Sequence, residues 1–349
     1  MKAIRLHGAR DLRLEELPEH PAPNAGEALI QVRAVGICGS DLHMYQDGRI
    51  GDTAFTSPLI IGHEFMGEVI AVGNDARDGN QQPLQPGQRV AVDPQTPCYH
   101  CEACEQGHPN LCLNHTFAGV FPDNGALQER MIVRARNCFP LPDSISDAGG
   151  ALLEPLGIAL HSLNLSKVGL AHSAAVIGCG PVGLLIIRLL KLAGASPIYA
   201  FDCFPWRVEK ALELGADQAW VVGEHDAVKQ VMDATGGRGV DVAFEAAWAD
   251  KTVQQAADMA RYGGRVILVG IPGDDNLQLQ HSTARRKGLT LKLVRRMKHT
   301  YARTIHMAAK GMVDLDALVS HTVSLDETAA AFERNIAYEP GVQKMVVKM

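Results

Sequence analysis

The segment "HSAAVIGCGPVGLLIIRLLKLAGASPIYAFD", residues 172–202, restricts the fold of this chain more than any other. An apolar run enters a glycine turn, a long apolar helix follows, and a second apolar run closes the unit. That order predicts a β-α-β unit, which makes the two strands parallel and lays the helix across one sheet face. "WRVEKALELGADQAWVV", "GVDVAFEAA", "DKTVQQAADMARYG" and "GRVILVGIPG" continue the alternation, and "LTLKLV" (289–294) is the expected last strand. Residues 146–294 therefore read as a doubly wound parallel sheet. Residues 1–145 have a different texture. "EALIQVRAVGICGSD", "GEVIAVGNDA" and "QPGQRVAV" are short β segments cut by Gly and Pro. A chain of 349 residues has room for about two domains. The stretch 295–349 is too short for a third and is expected to return to the first.

Within the β-α-β unit, Gly178-Cys179-Gly180-Pro181-Val182-Gly183 forms a G-x-G-x-x-G turn between a strand and a helix, the context in which that spacing binds a dinucleotide. The first glycine permits the tight turn, the second lets backbone approach a pyrophosphate, and the third lets helix and strand pack. The helix N-terminus then offers unpaired N–H groups to the phosphates. Asp202 ends the next strand, where a carboxylate accepts from ribose hydroxyls and repels a 2′-phosphate. NAD is the expected cofactor, with Arg207 near enough to soften the bias against NADP.

Eight cysteines in this length are too few for a disulfide scaffold. Four of them, Cys98, Cys101, Cys104 and Cys112, crowd into "PCYHCEACEQGHPNLC" (97–112). Four thiolates complete a tetrahedral shell and leave no open position, so this loop is expected to hold a structural zinc. His100, His108 and His115 lie near it but are not needed as ligands. Chemistry must then sit elsewhere. "GICGSDLHMY" offers Cys38, Ser40, Asp41 and His43, "IIGHEFMGEV" offers His63 and Glu64, and "GALLEPLG" offers Glu154. A thiolate, an imidazole and a carboxylate with one open position would suit a catalytic zinc. Each residue alone has an ordinary alternative: a core cysteine or histidine, or for Glu154 an acid at a helix start.

Together these motifs resemble the zinc-dependent medium-chain dehydrogenases from about residue 25 to the end. "GICGSD", "GHE", the four-cysteine loop, "LEPLG" and "GCGPVG" stand in that family's order. The resemblance implies an α/β protein with a GroES-like, mostly-β catalytic domain (1–145 and 295–349) and a Rossmann NAD-binding domain (146–294). It implies two zinc ions per chain, one catalytic and one structural. The catalytic zinc would lie on Cys38 and His63. "LEPLG", where the alcohol dehydrogenase branch has a further cysteine, resembles the sorbitol and polyol dehydrogenase branch. There the glutamate of "GHE", here Glu64, ligates the zinc, and the second, here Glu154, either ligates it or holds its water. Ser40 and His43 would relay the substrate proton to solvent, and Asp41 would orient His63. Arg296 in "RRMKHTYA" falls on an arginine that this branch places near substrate, while Met297 and His299 replace a tyrosine and an asparagine. The expected substrate is thus a secondary alcohol: a polyol, a cyclic polyol, a sugar acid or a simpler alcohol. Two other readings stay open. A threonine-type amino alcohol dehydrogenase shares "GHEFMGEV"-like text but lacks "LEPLG". A non-enzymatic nucleotide-binding or structural protein on this fold would be expected to lose Cys38, His63, Glu64 and Glu154.

The formal charge of −6 and the absence of a basic run argue against a nucleic-acid partner. "MKAIRLHGARDLRLEEL" has no apolar core of a signal peptide, and no stretch approaches the roughly 18 apolar residues of a membrane span. A soluble, cytoplasmic protein is expected, acting on a small molecule in the cleft between its domains. The resemblance implies a homodimer or homotetramer.

Overall fold

The Glu27–Gly36 strand organises the first part of the molecule, because its inward residues alternate with solvated ones over most of its length and then all become buried. A computed structural model describes residues 1–247, 249, 251–272 and 276–349. The chain divides into two units, Met1–Glu154 with Tyr301–Met349, and Pro155–Thr300. Residues 146–154 thus group with the first unit and 295–300 with the second, a few residues from the boundaries the sequence suggests. The physical reason is packing. The short helix Asp147–Ala151 lies on strands of the first sheet, and Met297 is buried beside Gly157 of the second unit.

In the first unit, Glu27–Gly36 pairs antiparallel with Glu64–Val72, with Arg130–Arg134 and with Met345–Lys348. Arg89–Val92, Cys138–Pro140 and His321–Ser324 complete the sheet. Its apolar face is filled by Ile30, Val32, Val35, Phe65, Val69 and Val347. The register places Gly36 opposite Glu64 on one side and Val346 on the other. Three distant stretches of sequence therefore meet at one end of one strand.

The second unit is a six-stranded parallel sheet ordered Gln218–Val221, Ile198–Asp202, Ala174–Ile177, Val240–Glu245, Ala260–Leu268, Thr290–Leu293. The three central strands are buried at every residue, as strands covered by helices on both faces must be. Phe201 and Phe244, both fully buried, each stabilise the sheet by roughly 1.5–3 kcal/mol relative to exposure. The chain moves outward from Ala174–Ile177, then returns to its other side at Val240–Glu245. The order of connection thus reverses between those two strands, the place where open α/β sheets bind ligands. One element departs from its pattern. The helix expected over 250–263 ends at Met259, because Ala260 is already extended (φ −69°, ψ 140°) and opens the strand Ala260–Leu268. The ends of two expected segments, Asp250 and Gly273, lie outside the described residues. Among the described residues, no helix is long and apolar enough to cross a membrane.

Candidate metal centres and nucleotide site

The four-cysteine loop runs between Gln95–Thr96 and Thr116–Phe117, a separate two-stranded pair that closes its base. Two short turns of helix, Glu102–Glu105 and Pro109–Leu111, fold the loop onto itself. Cys101 and Cys104 have their sulfurs 3.6 Å apart, Cys101 and Cys112 3.8 Å, and Cys112 and Cys98 3.5 Å. A disulfide needs about 2.05 Å. A tetrahedron with metal–sulfur arms of about 2.3 Å has edges of about 3.8 Å. The thiols therefore stand where four ligands of one ion would stand. Backbone N–H groups of Leu113 and Cys104 lower the Cys101 thiol to about 6, whereas desolvation and its thiol neighbours push Cys104 up to about 12. Ionising one thiol thus hinders the next, a conflict that a bound cation removes. His100 and His115 turn their Nδ1 atoms to the carbonyls of Cys98 and Cys112, at 2.7 and 2.8 Å, and stay out of the sulfur set.

A second set, Cys38, His63 and Glu64, has its donor atoms all within 4.8 Å of one another. The strand register explains it: Cys38 lies two residues past Gly36, and Glu64 is paired with Gly36. Gly36 has to lack a side chain, because a Cβ there would run into the Glu64 carboxylate. Asp41 ties the set together. Its carboxylate accepts from the Cys38 N–H at 2.9 Å and the Gly62 N–H at 3.3 Å, and lies 3.2 Å from His63 Nδ1. Asp41 faces Nδ1 as an ion-pair partner, without a hydrogen bond of good geometry, and His63 turns Nε2 towards Ser40 Oγ at 3.4 Å. Opposite them, Lys344 forms an ion pair with Glu64, the two side chains 2% and 1% exposed, and donates to the Ile37 carbonyl at 2.8 Å.

The electrostatics of this centre favour positive charge. Burial opposes a proton on His63, yet Asp41 and Cys38 outweigh it and lift the imidazole well above its usual range. Burial likewise opposes charge on Lys344, and Glu64, Cys38 and Asp41 again win. A thiolate, an imidazole and a carboxylate in such surroundings suit a borderline-soft divalent ion such as zinc. Sequence reasoning missed Gly36 and Lys344. The signal for Lys344 is slight, since a lysine leading an apolar strand reads as an ordinary strand end.

The remaining expected residues of the first unit lie as follows. His43 shares the Gly39–Asp47 helix with Ser40, is buried, and sets Nδ1 3.4 Å from Asp47 Oδ2; desolvation lowers its pKa. Glu154 is buried in the first turn of the Leu153–Ser166 helix and stands outside the three-residue donor set.

In the second unit, Gly178 takes φ 94°, and a Cβ there would meet Ala246 O at 2.6 Å and Ala247 N at 2.7 Å. A Cβ at Gly183 would strike the Gly178 carbonyl. At Gly180 a Cβ would meet nothing within 4 Å, so the turn is open at the start of the Pro181–Leu192 helix, which Pro181 and Val182 begin. That opening and the helix N–H groups fit a pyrophosphate. Asp202 accepts from the N–H groups of Cys179 (2.7 Å) and Phe204 (3.0 Å) and lies 3.8 Å from Arg207, whose guanidinium sits over the Phe204 ring. A carboxylate has about four acceptor sites, so two backbone bonds leave capacity for a ribose. Arg296, with φ 57°, and His299, with φ 49°, flank the buried Met297. The tyrosine-like position expected near substrate is thus a core methionine.

Known proteins resemble this chain in sequence family and in fold. The family model for an alcohol dehydrogenase GroES-like domain matches residues 24–143, and that for a zinc-binding dehydrogenase matches residues 181–310. The chain is similar to sorbitol dehydrogenase of Bacillus subtilis, 37% identical over 347 residues that cover 99% of this chain and 97% of that protein. It is also similar to human sorbitol dehydrogenase, 34% identical over 334 residues that cover 95% and 91%. Among solved structures it resembles 2R,3R-butanediol dehydrogenase from Bacillus subtilis, with a TM-score of 0.87, 33% identity, and 100% and 99% of the two chains covered.

Proposed function

The chain belongs to the zinc-dependent medium-chain dehydrogenase family, in its polyol dehydrogenase branch, and on that premise we propose how its residues carry the reaction. It is an oxidoreductase that oxidises a secondary alcohol of the polyol class. The observation that carries the reading is the Cys38–His63–Glu64 set, with its donor atoms within 4.8 Å and its strong pull on positive charge. We assign one zinc to that set and a second to Cys98, Cys101, Cys104 and Cys112, two per chain. A zinc held by those residues would supply Lewis acidity to the substrate hydroxyl, and a nicotinamide bound at the glycine turn would supply the hydride acceptor.

The chain's own residues do the rest. Asp41 keeps His63 in the tautomer that points Nε2 at the site. Ser40 Oγ, 3.4 Å from that nitrogen, takes up the substrate hydroxyl proton as it releases its own to His43. His43, three residues further on the same helix, passes it towards solvent, and the burial that lowers its pKa keeps it neutral and able to accept near pH 7. Glu154 holds a water of the site, and Arg296 donates to substrate hydroxyls. Asp202 binds the adenosine ribose and makes NAD preferred over NADP, a preference that the Arg207 guanidinium 3.8 Å away softens. The protein acts in the cytoplasm as a homodimer or homotetramer. The exposed edge strand Thr290–Leu293, with Leu293 66% exposed, supports association through the nucleotide unit.

The test is NADH formation, followed by absorbance, on polyols, inositols, sugar acids, secondary alcohols and threonine, each with NAD and with NADP. NAD-linked turnover on polyols or sugar derivatives supports the reading. Turnover on threonine alone would overturn the substrate class, and equal rates with NADP would overturn the role given to Asp202.

A further inference from the structure

Glu245 ends the Val240–Glu245 strand, on one side of the point where the sheet's order of connection reverses. Its neighbours at the same level are apolar, Ile177 on one strand and Leu268 on the other. Glu245 itself is 3% exposed, and desolvation pushes its carboxyl up to about 6. A carboxylate in such a place is costly unless its oxygens are used. They are. Oε1 accepts from the Ala247 N–H at 3.0 Å and from Thr252 Oγ1 at 2.8 Å. The residue's main-chain carbonyl accepts from Val269 N–H at 2.7 Å and Gly270 N–H at 3.1 Å. Gly270 comes so near that a Cβ would meet Glu245 Oε2 at 2.7 Å and run into the Ala247 carbonyl.

These contacts join three turns at the C-terminal ends of adjacent strands. The Ala246–Ala247 peptide backs the pyrophosphate turn: Ala246 N–H donates to Ile177 O at 2.8 Å, and Gly178 lies flat against it. The Glu245 side chain holds the other side of that peptide through the Ala247 N–H, while its main-chain carbonyl holds the 269–270 turn. In a doubly wound sheet the first half takes the adenosine, marked here by Asp202, and the second half takes the other nucleotide. We propose that the Glu245 side chain is a positioning group for the nicotinamide half of the dinucleotide, holding the 246–247 turn against the Gly178 turn. This rests on the nucleotide site assigned above.

Two ligands separate the halves. NADH needs both, whereas ADP needs only the adenosine half. NADH affinity is measured by fluorescence titration and ADP affinity by calorimetry, on the zinc-loaded full chain and its Glu245→Ala, Glu245→Gln and Thr252→Val variants, with melting points alongside. Glu245→Ala should weaken NADH by about tenfold, the effect of one charge-assisted hydrogen bond, and leave ADP within about twofold. Glu245→Gln should fall between, since its amide oxygen still accepts from Ala247 and Thr252. Thr252→Val removes the hydroxyl's bond to Glu245, together with its 2.6 Å bond to the Ala249 carbonyl, and carries the test if the alanine variant does not fold. Lower melting points with unchanged NADH affinity would overturn the proposal, as would NADH and ADP weakening by equal factors. A wild-type protein that binds neither ligand would overturn the nucleotide site itself, and this inference with it.

Discussion

The four-cysteine loop and the Cys38–His63–Glu64 centre lie in the same unit and are built in opposite ways. The loop draws all its donors from 15 consecutive positions, 98–112, and its sulfurs stand at edges of 3.5–3.8 Å with no other ligand type among them. The second centre draws on residues 38, 41, 63, 64 and 344, which only strand pairing brings together. The loop is half-exposed and closed. The second centre is buried, mixed in ligand type, and balanced by a lysine whose side chain is 2% exposed. A closed set of like donors can hold an ion but has no place for a substrate, whereas three mixed donors leave one position open. One centre is suited to stability, the other to chemistry.

The largest effect should come from the second centre. Cys38→Ser is expected to lower kcat by about 1,000-fold or more, leave NADH affinity unchanged, and reduce zinc from two ions per chain to one by elemental analysis. Retained turnover would break the assignment of that centre.

Next comes its counter-ion. Lys344→Met leaves the Glu64 carboxylate buried without its partner, and should destabilise the metal-free protein by about 3–5 kcal/mol in denaturant titration. Added zinc should recover part of that loss by supplying the missing positive charge. No recovery would mean that Lys344 and the metal do not share Glu64.

Cys101→Ser should act on folding instead. The loop loses its ion, and stability falls by about 2–3 kcal/mol, while the folded fraction keeps most of its turnover. Full thermal stability with all activity lost would mean that the two centres have been interchanged.

The smallest expected change sharpens the contrast. Asp41→Asn keeps the shape but weakens the hold on His63, and should reduce zinc affinity at the second centre by about 10–100-fold in a chelator competition, with the loop ion unaffected. Equal loss of both ions would show that the centres are not independent.

Legibility in the sequence followed the distance along the chain over which each feature is made. The parallel sheet could be read because each β-α-β step is local, and the glycine turn could be read because strand, turn and helix are contiguous. The helix end at Met259 could not, since the turn to extended backbone at Ala260 comes from pairing of Ala260–Leu268 in the sheet. The four-cysteine cluster was legible from spacing alone. Cys38, His63 and Glu64 stand in separate motifs, and nothing in their spacing says that they touch.

The sequence by itself determined the alternation that makes the second unit a doubly wound sheet, the glycine turn with its acid at Asp202, and the clustering of four thiols on one loop. Those follow from periodicities and ligand spacings that act within a few tens of residues. Only the tertiary structure decided that Gly36 faces both Glu64 and Val346, that Lys344 reaches Glu64 from the far end of the chain, and that Glu245 fastens three turns of the nucleotide unit. The reason is register. A shift of one residue in a strand pairing turns each side chain to the opposite face, so side chains from distant segments meet only once the sheet has chosen its partners.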